Sequence, residues 1–192
     1  ETYLQLIEHV LNKQKTAIVL VPEISLTPQM VDRFLARFGD TVAVLHSKLS
    51  VGERYDEWQK ILEGEAKIVI GARSAIFAPV KNLGIIIIDE EHDGSYKSGN
   101  TPRYHARQVA MRICTDKKIP LIMGSATPSV EAWHLMKENK IQTHYLTKRL
   151  AGGCPPEIQI VNLSETSPDG RKTEGCISPQ LEDEIRLTLQ EK

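Results

Sequence analysis

The feature that most constrains the fold is the apolar run Gly84-Ile-Ile-Ile-Ile-Asp89, in which four consecutive isoleucines separate a glycine from an aspartate. A strand that buries only one face alternates apolar and polar residues, and this run has no polar residue before Asp89. Both faces of such a strand must be covered, as in a parallel sheet with helices on each side. The run therefore predicts the central strand of an α/β sheet.

Short apolar runs alternate with segments of helical periodicity over residues 1–150. This alternation is typical of βαβ units and predicts a doubly wound, mainly parallel sheet. Predicted strands cover residues 16–21, 41–45, 67–71, 84–89, 120–124 and 142–146. Predicted helices cover residues 3–12, 28–38, 52–62, 104–114 and 130–139.

The amino-acid composition changes after Leu150, where glycine, proline, serine and charged residues dominate. One strand-like run at 158–163 and an amphipathic helix from Pro179 onward interrupt this stretch. We interpret 151–192 as a connector, not a second domain. The first helix starts immediately after Glu1-Thr2 and the last lacks a stop signal. We therefore expect the sequence to be a piece of a longer chain.

Charge and cysteine content exclude several classes of protein. The chain has 24 Lys and Arg against 25 Asp and Glu, so nucleic-acid contact must come from local patches. No apolar run approaches the ~18 residues of a membrane-spanning helix. Its three cysteines include no Cys-x-x-Cys pair, which indicates neither a disulfide framework nor a zinc site. We expect reduced thiols in a cytoplasmic protein.

Polar residues follow the predicted strands, at the edge of the sheet where ligands bind in open α/β folds. The strongest set is Asp89-Glu90-Glu91-His92, directly after the isoleucine run. An acidic residue there can hold Mg²⁺ on a nucleotide, and the next carboxylate can deprotonate an attacking water. A lone aspartate would more simply cap the next element, but three acids and a histidine in a row favour chemistry.

A second polar segment, Ser125-Ala-Thr127-Pro128, places two hydroxyl groups at the same edge. In isolation it is a common helix start, with Thr127 as N-cap and Pro128 at the first helical position. Together with the acidic run it indicates a shared site.

The segment 97–118 is locally basic and lies among tyrosines that can stack on nucleic-acid bases. Its basic residues are Lys97, Arg103, Arg107, Arg112, Lys117 and Lys118, against the single acid Asp116. Stacking contributes roughly 1–3 kcal/mol per base without reading sequence. The loop up to Arg103 favours a DNA contact, whereas Arg107 and Arg112 more simply form the solvated face of the following helix.

Four strings resemble, in order and spacing, motifs Ia, Ib, II and III of the superfamily-2 DEAD/DEAH-type helicases. They are VLVPEISLTPQ (19–29), IVIGARSA (68–75), IDEEHD (88–93) and GSATPS (124–129). The residues of these motifs are most similar to those of the bacterial primosomal helicases of replication restart. Residues 96–107 resemble that group's aromatic-rich loop, which couples single-stranded DNA to ATP hydrolysis. The resemblance spans the chain and implies a RecA-like helicase lobe 1 over 1–150, with 151–192 leading toward lobe 2.

The resemblance also implies roles for individual residues. Asp89 would hold Mg²⁺ through water, and Glu90 would activate the water that attacks the γ-phosphate of ATP. His92, Ser125 and Thr127 would link the nucleotide state to the grip on DNA. The residues implied to line the DNA path are Pro22, Glu23, Arg73, Ser74, Tyr96, Lys97, Arg103, Tyr104 and Arg107.

One expected part of the ATP site is absent from the sequence. No glycine is followed by lysine, so the phosphate-binding Gly-x-x-x-x-Gly-Lys-[Ser/Thr] loop does not occur. The resemblance implies a larger ATP-dependent 3′-to-5′ helicase that uses Mg²⁺, with zinc bound outside this sequence. Its partners would be single-stranded and forked DNA, other primosome proteins and single-strand-binding protein.

The sequence leaves two other classes open. One is a different superfamily-2 motor, such as a RecG-like translocase or a restriction-enzyme motor subunit. The other is a non-catalytic α/β interaction module, against which Asp89 and Glu90 count. We expect the isolated chain to be inactive and to bind nucleotide poorly. Because of its unpaired strand edges, we also expect it to be marginal in solution, self-associating, or closed by a rearranged or swapped segment.

Overall fold

The computed structural model describes residues 1–147, 157–164, 170–171 and 176–190. The helices are α1 (Thr2–Asn12), α2 (Pro28–Phe38), α3 (Val51–Glu63), α4 (Ala106–Lys117), α5 (Val130–Lys137) and α6 (Pro179–Gln190). The strands are β1 (Thr16–Leu20), β2 (Val42–Leu45), β3 (Ile68–Gly71), β4 (Leu83–Ile88) and β5 (Leu121–Met123). The chain divides into two compact units, residues 1–143 and 144–192. The boundary predicted at residue 150 falls in the stretch 148–156, outside the described residues.

The first unit contains one parallel sheet with the strand order β2-β3-β1-β4-β5. Every described pairing in it is parallel, which confirms the predicted sheet type. The isoleucine strand β4 is internal, between β1 and β5. The middle position belongs to β1, so the assignment of the isoleucine run as the central strand was wrong. The run shows only that a strand is covered on both faces, which holds for any internal strand.

Helices cover both faces of the sheet. Ile85 and Ile87 pack with Ile7 of α1 and Phe34 of α2 in one core cluster. Ile86 and Ile88, which alternate with them along β4, belong to a second cluster on the opposite face. That cluster also contains Ile61 of α3 and Ala106, Ala110 and Cys114 of α4. The doubly wound arrangement therefore follows from the unbroken apolar run.

Local sequence sets the helix ends. The Thr27 side chain accepts a hydrogen bond from the Met30 N–H at the start of α2, and Pro28 follows at the first helical position. Ser50 and Glu53 form a reciprocal capping box at the start of α3. That helix ends at Gly64, whose φ of 85° suits glycine. The predicted bounds of these helices agree with the structure to within a residue.

The predicted strand at 142–146 is wrong, and the strand-like run at 158–163 does not form a strand. Residues 142–147 are irregular, with Tyr145 and Leu146 70% and 87% exposed, and residues 158–162 have no regular structure. A strand forms only where it finds a partner, and in the described part of the chain nothing pairs with the outer side of β5. Apolar content alone was not enough to make these segments strands.

Two further features concern the chain as a whole. No helix in the described ranges is both long and apolar enough to cross a membrane. Cys114 is a buried free thiol, and burial raises its pKa to about 11. Cys176 is an exposed free thiol, and Cys154 lies outside the described residues.

Candidate functional site

The polar segments after β4 and β5 lie side by side because the strand ladder continues past the strand ends. The Asp89 N–H donates to the Leu20 carbonyl oxygen at 2.9 Å, and the Gly124 N–H donates to the Ile88 carbonyl oxygen at 2.9 Å. The Glu91 N–H donates a hydrogen bond of 3.0 Å to the Gly124 carbonyl oxygen. These bonds bring the acidic run and the hydroxyl segment together, as the sequence predicted.

Asp89 is held by two tyrosine hydroxyls. Tyr3 donates a hydrogen bond of 2.9 Å to Asp89 Oδ1. Tyr96 donates one of 2.6 Å to the Asp89 backbone carbonyl oxygen. Burial, followed by the neighbouring Asp89 carboxylate, raises the pKa of Tyr3 well above its usual range, which keeps that hydroxyl protonated and able to donate. Asp89 Oδ2 accepts no hydrogen bond from any side chain or backbone group that the structure describes.

His92 connects the acidic segment to both hydroxyls of the second segment. Its Nδ1 lies 2.7 Å from Ser125 Oγ, and its Nε2 lies 3.4 Å from Thr127 Oγ1. Glu90 Oε2 lies 3.6 Å from the same Nδ1. Glu90 itself has a φ of 45°, in the left-handed region that only a few per cent of non-glycine residues adopt. Four of the predicted site residues thus form one connected cluster.

Glu91 is the charged residue of this segment that the sequence interpretation left without a role. Its side chain is 2% exposed. Glu91 Oε1 accepts the Ser129 N–H at 2.7 Å, and Oε2 accepts Arg107 Nη1 at 2.7 Å and Ser129 Oγ at 3.1 Å. This buried ion pair ties the start of α4 to the start of α5. A DNA contact by Arg107 would require the ion pair to open first.

The loop before α4 is folded against the sheet edge. Tyr96 is 0% exposed, so no base can stack on its ring in this conformation. Arg73 Nη1 donates to the carbonyl oxygens of Ser95 at 3.0 Å and Lys97 at 2.6 Å. The side chains of Lys97 and Arg103 are exposed and available to a polyanion.

An aromatic pair lies at the surface beside this loop. The rings of Phe77 and Tyr104 meet edge to face, with centroids 5.0 Å apart, and Phe77 is 52% exposed. The Arg73 guanidinium lies 5.8 Å from the centroid of the Tyr104 ring. The sequence interpretation included Tyr104 and Arg73 and missed Phe77. No spacing rule links Phe77 to Tyr104, because they are adjacent only in the folded chain.

The remaining predicted DNA residues differ in accessibility. Pro22 is buried, whereas Glu23 and Ser74 are exposed. The Glu23 carboxylate accepts a hydrogen bond from the Ser47 hydroxyl, which follows β2. These residues lie after β1 and β3, so they share the carboxyl edge of the sheet with Asp89.

The donor set fits a hydrated magnesium ion better than a cation held by protein alone. Within the described ranges, no group of three His, Cys, Asp or Glu side chains converges as a metal cage. Mg²⁺ usually keeps several waters and takes one or two carboxylates plus phosphate oxygens. One carboxylate with an available oxygen, as at Asp89, meets that requirement.

The parallel sheet with helices on both faces, and the polar residues at its carboxyl edge, define a doubly wound α/β lobe. The DEAD/DEAH box helicase family model matches residues 2–135, and the chain belongs to that family. The fold is accordingly that of a RecA-like helicase lobe.

Within the family, the similarity is to Replication restart protein PriA. The chain is 51% identical over 188 residues to PriA of Treponema pallidum (strain Nichols), covering 98% of this chain and 28% of that protein. It is 49% identical over 189 residues to PriA of Bacillus subtilis (strain 168), covering 98% of this chain and 23% of that protein. The chain therefore spans about a quarter of the length of these relatives. The likeness to solved structures is weaker: the match to the C-terminal part of the Fun30 ATPase domain covers 73% of this chain and 44% of that chain, at 19% identity and a TM-score of 0.42.

Proposed function

We propose that this chain supplies half of the ATP site and part of the DNA path of an ATP-dependent 3′-to-5′ DNA helicase that acts in replication restart. The observation that carries the proposal is the connected cluster of Glu90, His92, Ser125 and Thr127, which lies beside Asp89 at one edge of a RecA-like sheet. The family match and the PriA relatives support it. They favour this motor over a RecG-like or restriction-enzyme motor.

In this proposal the two carboxylates after β4 have different tasks. Asp89 would hold hydrated Mg²⁺, which supplies charge compensation for the phosphates when it is bound. Glu90 would accept the proton of the attacking water, because its side chain is partly exposed and not buried in an ion pair. Glu91 would only anchor the segment, since Arg107 and Ser129 already bind both of its oxygens.

Coupling to DNA would pass through the loop that begins at Gly94. Tyr96 donates its hydroxyl to the backbone of Asp89, and Arg73 holds the backbone of Ser95 and Lys97. A strand of DNA that contacts Lys97 and Arg103 would therefore pull on the carboxylate segment through a few hydrogen bonds. Phe77 and Tyr104 would offer a ring surface to the bases.

The full-length protein would take ATP and Mg²⁺ and act on single-stranded and forked DNA in the bacterial cytoplasm. Other primosome proteins and single-strand-binding protein would be its partners, and zinc would bind outside this chain. The PriA relatives support the role in replication restart.

The base assignment is tested by Glu90→Gln in the full-length protein, with Glu138→Gln as the control because its carboxylate is exposed on the far end of α5. Losing a positioned general base typically lowers the rate about 10²–10⁴-fold. We expect this loss in DNA-stimulated ATP hydrolysis, with nucleotide binding retained. Hydrolysis at the wild-type rate would exclude Glu90 as the base.

The coupling loop is tested by Tyr96→Phe combined with Arg103→Ala. Phenylalanine keeps the buried ring and removes only the hydroxyl, whereas alanine at 96 would open a cavity in the core. We expect a larger loss of DNA-stimulated than of DNA-independent hydrolysis. Arg112→Ala is the control, because this arginine is 80% exposed on α4. Equal loss of both activities would contradict a coupling role.

A further inference from the structure

Tyr3 lies in the first turn of α1 and reaches a residue 86 positions away in the chain. Its hydroxyl donates to Asp89 Oδ1 at 2.9 Å. The backbone of Asp89 is also held on both sides, by its N–H on the Leu20 carbonyl oxygen and by the Tyr96 hydroxyl on its own carbonyl oxygen. The Tyr3 bond is the contact in the described structure that orients the carboxylate itself.

Gly124 shows that the space for this hydroxyl is built into the sheet. A Cβ atom placed on Gly124 would lie 1.7 Å from the Tyr3 hydroxyl oxygen and 3.0 Å from Cζ. Gly124 does not have a positive φ, unlike Gly39, Gly64 and Gly170. Other residues could therefore adopt its backbone conformation. The absence of a side chain at Gly124 leaves room for the Tyr3 hydroxyl.

We propose that Tyr3 is a positioning residue for the magnesium-binding carboxylate, and that Gly124 is required because it admits the Tyr3 hydroxyl. The inference rests on the proposed function, in which Asp89 holds hydrated Mg²⁺. With Oδ1 bound to Tyr3, the carboxylate has one fixed orientation and presents Oδ2 to the cation. Groups that orient a metal-binding side chain in this way typically affect metal affinity about 10–100-fold.

The test measures binding, not turnover. ADP binding to the full-length protein is followed by titration calorimetry over a series of Mg²⁺ concentrations and in EDTA. The variants are Tyr3→Phe, Gly124→Ala and the double variant, with Tyr55→Phe as the control because that ring is 61% exposed on α3. Thermal unfolding of each variant reports whether the fold is kept.

We expect Tyr3→Phe to raise the half-saturating Mg²⁺ concentration about tenfold and to leave ADP affinity in EDTA unchanged. Gly124→Ala should produce a similar shift, because the new methyl group displaces the hydroxyl. The double variant should lose no more than either single variant, since both remove the same contact. Tyr55→Phe should behave as the wild type.

Two results would overturn the inference while leaving the proposed function intact. One is an unchanged Mg²⁺ requirement in Tyr3→Phe, and the other is a double variant whose loss equals the product of the two single losses. Absence of any Mg²⁺ effect on ADP binding in the wild type would overturn the proposed function together with the inference.

Discussion

Replacement of Arg107 by alanine should destabilise the first unit strongly. Arg107 and Glu91 form an ion pair of 2.7 Å in which the side chains are 11% and 2% exposed. Removing one partner of a buried pair leaves an uncompensated charge and costs about 3–5 kcal/mol. Glu91 would keep its hydrogen bonds to Ser129. Burying a carboxylate with no cation beside it would still lower the free energy of unfolding.

Arg112 on the same helix provides a matched control. It pairs with Asp116 at 2.9 Å, with side chains 80% and 56% exposed, and such surface pairs contribute about 0–1 kcal/mol. Arg112→Ala should therefore change the free energy of unfolding by less than about 1 kcal/mol, while Arg107→Ala should lower it by at least about 3 kcal/mol.

Urea unfolding of the 192-residue chain, followed by circular dichroism, measures this difference. Thermal unfolding provides a second measurement. Each kcal/mol lost from the free energy of unfolding lowers the melting temperature by about 2–4 °C, so Arg107→Ala should melt roughly 10 °C lower than the wild type. A loss for Arg107→Ala within about 0.5 kcal/mol of that for Arg112→Ala would show that water reaches the Glu91 pair, since surface substitutions usually stay within that range. In that case the DNA contact implied by the sequence would be the better role for Arg107.

Three further outcomes follow from local features. Ser50→Ala should lower the free energy of unfolding by about 1 kcal/mol, measured by urea unfolding, because it removes the N-cap of α3; a change below about 0.3 kcal/mol would contradict the capping box. Burial and, secondly, Arg107 lower the pKa of His105 below its ordinary 6.5, and His105 Nδ1 accepts the Arg107 N–H only when unprotonated. The unfolded chain therefore takes up the proton first, so this contribution to stability is present above pH 6.5 and lost as the pH falls. His105→Asn should reduce the pH dependence of unfolding between about pH 7 and 5, and an unchanged dependence would refute the assignment. Calorimetric titration of the isolated chain with Mg²⁺-ATP should show no micromolar binding, because the phosphate-binding loop is absent from its sequence; clear one-site binding would mean that other residues cradle the phosphates.

Hydrophobic periodicity was sufficient to predict most of the fold. The isoleucine run required helices on both faces, and the helices predicted at 28–38 and 52–62 are present in the structure. The error at 142–146 arose because a strand also needs a neighbour, and the neighbour cannot be read from the segment itself. The local sequence pattern therefore predicts which segments can form strands. Whether a segment does form one depends on hydrogen bonding to a neighbouring strand.

Sequence analysis identified the residues of the candidate site that come directly after predicted strands. Asp89, His92 and Ser125 come from two such segments, and the structure brings them together. Tyr3 lies at the start of a predicted helix, and Glu91 is one of three consecutive acids, so the sequence gives neither residue a distinct role. Their roles depend on partners 86 and 16 residues away, and neither separation leaves a periodic signal.

The left-handed backbone of Glu90 has a consequence for protein engineering. A non-glycine residue in this conformation costs roughly 1–2 kcal/mol, and here the flanking Glu91 and Asp93 N–H bonds hold it in place. Glycine or asparagine would adopt the same conformation with less strain, so selection for thermal stability alone should replace the proposed base. A stability-guided redesign of the full-length protein should therefore raise its thermal stability while removing the carboxylate that the proposed function needs for hydrolysis.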